Sequence, residues 1–378
     1  MGIRKRVPTG LFRTRDRRFR VGGSEPVQYP GVAETPERIL IIRPSALGDV
    51  CRSVPVLVSL RRAFPDARID WLVQDSFADA VSSHPMLNGV VPFPRGAVGI
   101  QKLAGPEGRS ALAGFLSSLK SPKYDLVVDA QGLGRSGFFA WWTGAPRRVG
   151  YANARELGWL GVNRRHSVST RLHAVDRMLE LLAREGIEPV RDLRLYCRDQ
   201  ERAAIDPVLR GARYAVIAPT SRWPGKRWPA ERFAEVATGL LERGSVDYAV
   251  VVGSAGERDQ CAPVLAVQER LPRMVNQVGR TTVGELMALI AQSELVLAND
   301  SAALHMAVGF DRPLVGLFGP TDVGLVGPYG REDDVVQPLT PPPGVTHKHE
   351  REGRKMMEHI RTETVLRACV ERLERSRH

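Results

Sequence analysis

The sequence predicts an α/β protein of two doubly wound, Rossmann-like domains that face a central cleft. Three features of its 378 residues indicate this fold: short apolar runs alternate with stretches of helical periodicity, the alternation occurs twice, and a polar stretch over 198–211 separates the two series. Alternating strands and helices are typical of a parallel sheet that is covered by helices on both faces. The length also exceeds the usual size of one domain.

The first series lies in the N-terminal half. Four apolar runs have the length and composition of buried strands, and amphipathic stretches predict helices between and after them. The strands are expected at RILIIRP (38–44), RIDWLVQ (68–74), GVVPFP (89–94) and YDLVVDAQ (124–131), and the helices at Val50–Phe64, Arg109–Leu119 and His173–Glu185.

The second series begins at Tyr214 and has the same architecture. A Pro-rich break over 338–343 and a charged stretch over 347–355 follow it, before a last helix over 362–375. The strands of the series are expected at 214–220, 248–254, 274–279, 295–300 and 313–320, and the helices at Ala230–Arg243, Ala255–Arg270, Val283–Gln292 and Ser301–Val308.

These patterns divide the chain into five segments. Residues 1–36 have few large apolar side chains, so we expect a basic disordered tail there. Two Rossmann-like domains are expected to place a ligand cleft between them, at the carboxyl ends of their strands. The segments are the tail (1–36), an N-terminal Rossmann-like domain (37–197), a linker (198–212), a C-terminal Rossmann-like domain (213–345), and a charged loop with the C-terminal helix (346–378).

The net charge of +12 favours anionic partners. Residues 1–36 contain eight Lys or Arg and three Asp or Glu, and the remaining residues still carry +7. A basic surface attracts nucleotide diphosphates, phosphorylated lipids, membrane surfaces or nucleic acid. An Arg-rich composition without such a role is the alternative.

Cysteine usage and hydropathy indicate a cytoplasmic protein. The four cysteines form no CxxC pair, which is typical of reduced thiols. No apolar run reaches the ~18–20 residues that cross a bilayer, and no apolar segment of a signal peptide follows the basic N-terminus. We expect a protein that is cytoplasmic, or peripheral on the inner face of the cytoplasmic membrane.

The first motif is RPSALGD (43–49), directly after the first strand. Ser45 and Gly48 bring backbone N–H groups to the sheet edge, where glycine permits close approach of a ligand. Asp49 lies at the start of the next helix, so it is either a helix-capping group or a general base that faces the cleft. The motif is not the GxGxxG pattern of dinucleotide sites.

The second motif is TSRWPGKRWP (220–229), after the first strand of the second series. Two hydroxyls (Thr220 and Ser221), two arginines and Lys226 lie within eight residues. Hydroxyls and cations together suit a diphosphate, which offers many acceptor oxygens and negative charge. A solvated basic loop is the alternative.

The third motif is NDSAALH (299–305), where a buried strand runs into a helix start. The free N–H groups of that start and the Ser301 hydroxyl form an anion site. Asp300 either caps the helix or accepts hydrogen bonds from ligand hydroxyls, and His305 faces the ligand or is a core histidine. Glu257 follows another strand, in a place that suits ribose hydroxyls or a surface carboxylate.

The sequence does not predict a metal site or a bound cofactor. His347 and His349 are two residues apart in a charged loop, which is a weak metal signal without supporting ligands. The Walker A, GxSxG and HExxH patterns are absent.

Seven collinear segments of this sequence resemble the ADP-heptose:lipopolysaccharide heptosyltransferases, glycosyltransferase family nine. The resemblance runs from about Arg38 to the C-terminus, and its middle and last segments are most similar to the members that add the first heptose of the inner core. The segments are RPSALGDV (43–50), YDLVVDAQGL (124–133), NARELGWLGVNRRH (153–166), HAVDR (173–177), KRWPAERF (226–233), NDSAALH (299–305) and GPTDVGLVGPYG (319–330).

The resemblance implies a GT-B fold in which 213–345 bind the nucleotide sugar and 37–197 present the acceptor and the base. It implies an inverting, metal-independent transfer of a heptose-like sugar from an ADP-sugar to an acidic glycolipid of the lipopolysaccharide inner core. The expected partners are therefore the ADP-heptose-like donor and a glycolipid at the membrane surface, with no nucleic acid and no cofactor.

The resemblance also implies roles for single residues. Asp49 matches the family's catalytic carboxylate, and Lys226 its diphosphate-binding lysine, which we expect to assist catalysis. The chain departs from the family pattern at Ala302, where glycine is usual, and by one extra residue between Thr220 and Lys226. The remaining donor residues are expected to be Thr220, Ser221, Glu257, Asp300, Ser301 and His305, and the acceptor residues Ser45, Arg155, Arg164 and Arg165.

Two other classes of protein remain open at this stage. One is another nucleotide-sugar enzyme of the GT-B type, such as an epimerase. The other is a non-catalytic protein that binds carbohydrate or nucleic acid, which the basic body of the chain and Ala302 both permit.

Overall fold

The computed structural model describes residues 35–268 and 270–376. The predicted tail therefore lies almost wholly outside the described residues. The described chain forms two parallel six-stranded sheets, each built from strands that alternate with helices. This confirms the predicted α/β class with two doubly wound halves.

The first sheet has the strand order β3-β2-β1-β4-β5-β6. Its central strands are apolar because helices cover both faces, and Ile39, Leu40, Ile41 and Ile42 have no exposed surface. The strands are β1 (Arg38–Ile42), β2 (Arg68–Gln74), β3 (Gly89–Phe93), β4 (Leu126–Asp129), β5 (Arg147–Tyr151) and β6 (Arg164–His166). The helices are α1 (Leu47–Cys51), α2 (Val54–Ala63), α3 (Asp79–Ser82), α4 (Ile100–Leu103), α5 (Pro106–Lys120), α6 (Gly134–Trp142) and α7 (Ala174–Ala183).

The second sheet repeats this order in its own numbering, as β12-β11-β10-β7-β8-β9, after a short helix α8 (Asp199–Ala203). Its strands are β7 (Tyr214–Ala218), β8 (Tyr248–Val251), β9 (Met274–Asn276), β10 (Leu295–Asn299), β11 (Leu314–Leu317) and β12 (Val335–Val336). Its helices are α9 (Ala230–Glu242), α10 (Arg258–Ala266), α11 (Val283–Gln292), α12 (Ala302–Gly309), α13 (Val323–Val326), α14 (Glu350–Glu358) and α15 (Thr362–Arg375).

This strand order fixes where a ligand can bind. The order reverses between β1 and β4 in the first sheet, and between β7 and β10 in the second, where these strands lie side by side. In open α/β sheets, ligands bind outside the carboxyl ends of the strands at this switch point. The three motifs singled out from the sequence follow β1, β7 and β10.

Several predicted boundaries were wrong. The helix expected over Ala255–Arg270 is a 3₁₀ turn followed by α10, which ends at Ala266. The charged stretch after residue 346 was expected to be a loop, yet α14 occupies much of it and buries Gly353, Met356 and Met357. These three residues do have the i, i+3, i+4 spacing of a helix face, but the charged residues around them made the stretch resemble a solvated loop.

The predicted linker is partly structured. Helix α8 lies within it, and a Cβ added at Gly284 of α11 would meet the Glu201 carboxyl oxygen at 2.3 Å. The chain passes between the two sheets just before it, because the Val190 N–H donates to Ser59 Oγ (2.9 Å) and the Leu195 N–H donates to the Gly309 carbonyl (2.9 Å).

Candidate active site

Asp49 lies in the first turn of α1, directly after β1. Its Oδ2 accepts a hydrogen bond from the Ala46 N–H (3.2 Å), which fixes the carboxylate over the start of the helix. Its Oδ1 contacts the Arg52 guanidinium and lies 3.3 Å from Arg43 Nη2. The side chain keeps 25% of its surface exposed, so it is reachable from the cleft.

The two arginines determine the charge of Asp49. Burial by itself raises the pKa of a carboxyl group, but the Arg52 and Arg43 guanidiniums together hold the pKa of Asp49 well below its ordinary value. The carboxylate is therefore ionised at neutral pH and can accept a hydrogen bond from a ligand hydroxyl.

The loop after β4 supports this arrangement. The Asp129 carboxylate accepts hydrogen bonds from the Gln131 N–H (2.9 Å) and the Gly132 N–H (3.0 Å), and burial raises its pKa to about 6. Arg43 Nη1 donates to the Ala130 carbonyl (2.5 Å). The loop therefore positions Arg43, and Arg43 in turn positions Asp49.

Lys226 and Asp300 form the charged centre of the second half. Lys226 Nζ lies 2.5 Å from Asp300 Oδ2, and these side chains are only 13% and 9% exposed. Lys226 ends a short 3₁₀ turn after β7, and Asp300 follows β10. The switch point of the second sheet thus brings together two residues that are 74 positions apart in the sequence.

Asn299 joins the two loops at this switch point. Its Oδ1 accepts a hydrogen bond from the Trp228 N–H (3.1 Å), and its Nδ2 donates to the Pro219 carbonyl (2.7 Å). Arg227 Nε donates to the Ser221 carbonyl (2.7 Å) and closes the loop on itself. Sequence reasoning gave Asn299 no role, although its fully buried amide holds Lys226 and Asp300 in register.

The start of α12 supplies backbone donors beside this pair. Ser301 is the N-cap residue, and its hydroxyl makes no capping hydrogen bond. Both Thr220 and Ser221 are buried, and Ser221 Oγ lies 3.5 Å from the Asp300 carbonyl. Ser221 and Lys226 therefore contact Asp300 next to the start of α12, and the anion site expected there stays a prediction.

His305 is buried and neutral. Burial, followed by the charge of Arg52, lowers its pKa to about 3. Its ring faces the other half of the molecule, because a Cβ added at Gly48 would lie 2.7 Å from His305 Cδ2 and 3.3 Å from the Ala302 Cα. Only glycine fits there. The first and third motifs are thus in direct contact, and Asp49 follows the residue that makes this contact.

A second contact joins the two halves next to Asp49. Arg52 Nη1 donates to the Val326 carbonyl (3.1 Å), and His173 Nε2 lies 3.1 Å from the Gly327 carbonyl. The Tyr329 hydroxyl donates to Asp176 Oδ1 (2.7 Å). We call Tyr329 and its partners in α7 the interdomain clasp. Sequence reasoning missed it, although HAVDR and GPTDVGLVGPYG supply it.

The other predicted residues are less closely grouped. Glu257 Oε2 accepts hydrogen bonds from the Ser254 N–H (2.9 Å) and hydroxyl (2.7 Å), so it completes a capping box. Arg164 Nε contacts Glu185 (3.3 Å), and the Arg165 guanidinium lies 4.9 Å from the Trp159 ring centroid. The ribose role of Glu257 and the acceptor role of these arginines stay predictions.

Ser45 and Arg155 lie at the same edge of the first sheet as Asp49. The Ser45 N–H donates to Gln131 Oε1 (3.4 Å), and the Arg155 N–H donates to the Gly132 carbonyl (3.1 Å). Both residues therefore border the loop after β4.

The described parts of residues 35–376 also bear on metal binding and on membrane insertion. Across the described parts of this range, no three His, Cys, Asp or Glu side chains are grouped so that they could hold a metal ion. In the same residues, no helix has the length and apolar character that crossing a membrane requires.

Two Rossmann-like sheets whose switch points face each other across a cleft define the GT-B fold class. Solved structures share the fold. Escherichia coli ADP-heptose lps heptosyltransferase II superposes with a TM-score of 0.73 at 22% identity, over 90% of this chain and 100% of that chain. Escherichia coli heptosyltransferase WaaC with ADP-2-deoxy-2-fluoro heptose gives a TM-score of 0.69 at 24% identity, over 90% and 99%.

The sequence identifies the family within this class. The model of "Glycosyltransferase family 9 (heptosyltransferase)" matches residues 113–354. Lipopolysaccharide heptosyltransferase 1 of Pseudomonas aeruginosa is 32% identical over 305 residues, which cover 78% of this chain and 82% of the relative. Its counterpart in Escherichia coli K12 is 29% identical over 307 residues, 79% and 93% of the two chains. The chain belongs to glycosyltransferase family 9 and is a glycosyltransferase, which confirms the resemblance found in the motifs.

Proposed function

We propose that this enzyme transfers a heptose from ADP-heptose to an acidic glycolipid acceptor of the lipopolysaccharide inner core. Family membership supports the transfer, and the relatives named heptosyltransferase 1 support the sugar and the pathway. The solved relative with ADP-2-deoxy-2-fluoro heptose supports an ADP-sugar as donor.

One observation carries the proposal. The Asp49 carboxylate of the first half lies beside the contact between Gly48 and His305, and the Lys226–Asp300 pair lies at the switch point of the second half. A cleft with a carboxylate on one wall and an anion site on the other suits a single displacement at an anomeric carbon. The acceptor hydroxyl then attacks from the Asp49 side and the diphosphate leaves on the other, which inverts the configuration.

Asp49 accepts the proton of the attacking hydroxyl. Because Arg52 and Arg43 keep the carboxylate ionised, it is available as a base across the neutral pH range. A low pKa makes a weak base, so proton transfer is favourable only as the hydroxyl oxygen bonds to the anomeric carbon and its own pKa falls. We therefore expect transfer to show no loss of rate from Asp49 protonation between pH 8 and about pH 5.

The second half stabilises the leaving group. The ADP diphosphate gains negative charge as the glycosidic bond breaks, and Lys226 and the N–H groups at the start of α12 offset that charge. These groups occupy the place that a bound metal has in other transferases, so we propose that the reaction needs no metal. Asp300 holds the lysine in place before the donor arrives.

The acceptor binds on the first half. Its acidic groups suit Arg155 and other arginines near the loop after β4, because guanidinium pairs well with carboxylate and phosphate. Ser45 borders the same loop. The enzyme then acts at the inner face of the cytoplasmic membrane, where such a glycolipid is anchored.

A transfer assay with purified components tests the proposal. ADP-heptose and an acidic inner-core glycolipid acceptor should give a heptosylated product with inverted anomeric configuration by NMR, with and without EDTA. A free isomer formed without acceptor would instead indicate an epimerase. Loss of turnover with EDTA would contradict the metal-free mechanism, and absence of both transfer and ADP binding would indicate a non-catalytic protein.

A further inference from the structure

The first half carries an exposed apolar surface away from the described contacts between the halves. It consists of Phe138 and Trp141 on α6, and Leu157 and Leu160 around the 3₁₀ turn Gly158–Gly161; we call these four residues the aromatic patch. Their side chains are 42%, 55%, 64% and 56% exposed. Seven large apolar residues are exposed in the described chain, and four of them are here, so the exposure is concentrated rather than scattered.

Three glycines allow the two elements of this surface to pack closely. A Cβ added at Gly137 of α6 would lie 2.1 Å from the Gly158 carbonyl oxygen, and one at Gly161 would lie 1.8 Å from the Gly137 carbonyl oxygen. The three glycines thus let the turn lie directly on the helix. This close approach places the turn with Leu157 and Leu160 beside α6, on which the ring centroids of Phe138 and Trp141 are 6.1 Å apart.

Leu157 is held in an unfavourable conformation. Its φ is +60° and that of Glu156 is +54°, a left-handed region that residues with a Cβ rarely adopt. Glu156 Oε2 accepts a hydrogen bond from the Gly134 N–H (3.3 Å), which ties this turn to the start of α6. Strained backbone that displays a leucine to solvent points to a use for that leucine.

The charge around the aromatic patch is positive. From residue 134 to residue 172 the sequence has seven arginines and one acidic residue, Glu156. Arg147 and Arg164 share the single negative charge of the Glu185 carboxylate. Arg135 and Arg155 are exposed and make no ion pair within the described chain, although the Arg135 guanidinium lies 5.1 Å from the Phe93 ring centroid. An apolar centre with exposed guanidiniums around it matches an anionic lipid interface, in which aromatic rings lie at the level of the headgroups.

We propose that the aromatic patch docks this enzyme on the surface of an anionic phospholipid bilayer. Phe138, Trp141 and the two leucines enter the interface, and the arginines around them contact phosphate groups. The consequence of docking for catalysis rests on the proposed function. Helix α6 follows β4, the neighbour of the strand that positions Asp49, so docking brings the cleft to an acceptor that stays anchored in the membrane.

Vesicle binding of the full chain tests the docking. Trp141→Ser with Leu157→Ser should reduce partition onto phosphatidylcholine–phosphatidylglycerol vesicles by roughly 10-fold or more, because buried apolar area drives interfacial binding. Leu339→Ser is the matched control, since Leu339 is 40% exposed outside the aromatic patch. Equal partition of the double variant and wild type would overturn the proposal.

A local readout separates the aromatic patch from the basic residues 1–34, which all variants share. Lipids brominated in their acyl chains should quench tryptophan emission of the wild type, and Trp141→Phe should remove part of that quenching. Unchanged quenching would contradict docking through this surface. A double variant that alters oligomeric state but not vesicle partition would show that the aromatic patch binds another copy of the chain instead.

The link to catalysis has its own control. The double variant should transfer heptose to a detergent-dispersed acceptor at the wild-type rate, and more slowly to an acceptor in vesicles. Equal slowing on both acceptors would contradict the docking role. Vesicle binding through the aromatic patch without any heptose transfer would overturn the proposed function and leave the docking supported.

Discussion

Replacing Lys226 with methionine should weaken ADP binding by roughly 150-fold, because the lysine supplies a poorly hydrated positive charge to the diphosphate. A unit charge ~5 Å from a phosphate contributes about 3 kcal/mol at an effective dielectric constant of ~20, and 1.36 kcal/mol corresponds to tenfold. Asp300 is left without its partner, so its carboxylate now repels the ligand. Isothermal titration with ADP measures the change.

Two control variants accompany the ADP titration. Lys355→Met removes the same charge from an exposed position on α14 and should leave ADP affinity within about twofold. Lys226→Met combined with Asp300→Asn removes the unpaired acid and should recover part of the lost affinity and stability, since breaking one side of a buried pair costs more than removing both. An unaltered affinity in a folded Lys226→Met variant would refute the assignment of this loop to the diphosphate.

Three further predictions concern the contacts around Asp49. Gly48→Ala should lower turnover by roughly 10²-fold and cost about 1–3 kcal/mol of stability, because its Cβ would meet His305 and misplace the helix; normal kcat would contradict that contact. Tyr329→Phe should lower kcat/KM about fivefold or more, because the hydroxyl donates a hydrogen bond of ~1 kcal/mol to Asp176 and accepts another from Arg191 Nε (3.0 Å); an unchanged kcat/KM would show that the clasp does not assist catalysis. Asp129 has a folded pKa of about 6, above its unfolded value, so its contribution to stability is present below pH ~4 and is lost as pH rises through 6. The free energy of unfolding of the wild type, measured with urea, should therefore fall by up to about 3 kcal/mol between pH ~4 and a pH above 6, relative to that of Asp129→Asn. If the free energies of unfolding of the two proteins changed with pH in parallel, the raised pKa of Asp129 would be disproved.

The sequence predicts the fold well where burial dictates composition. All nine predicted strands exist, because a strand covered on both faces is apolar throughout its length. Three strands were not predicted: the two-residue β12, and β5 and β6, which begin with Arg147 and Arg164 and leave part of their residues exposed. A strand near the sheet edge needs fewer apolar side chains, so its pattern resembles a loop.

Some residues of the candidate site could be predicted from the sequence, and the contacts between the two halves could not. Asp49, Lys226 and Asp300 could be found because strand ends converge at a switch point, whatever the details of packing. The Arg52–Asp49 contact and the fit of Gly48 against His305 depend on how the two halves meet, and no local pattern encodes that. The interdomain clasp was missed for the same reason, although its segments were recognised as typical of the family.

Asp49→Asn offers the most direct test of a base and an anion site on opposite walls of one cleft. The amide keeps the size of the side chain and its place beside Ala46, so the affinity for ADP should stay within about twofold by titration. Single-turnover heptose transfer should fall by roughly 10²-fold or more, the scale expected for loss of a general base. Transfer at the wild-type rate, or loss of ADP binding together with transfer in a folded variant, would contradict the proposed division of labour between the two halves.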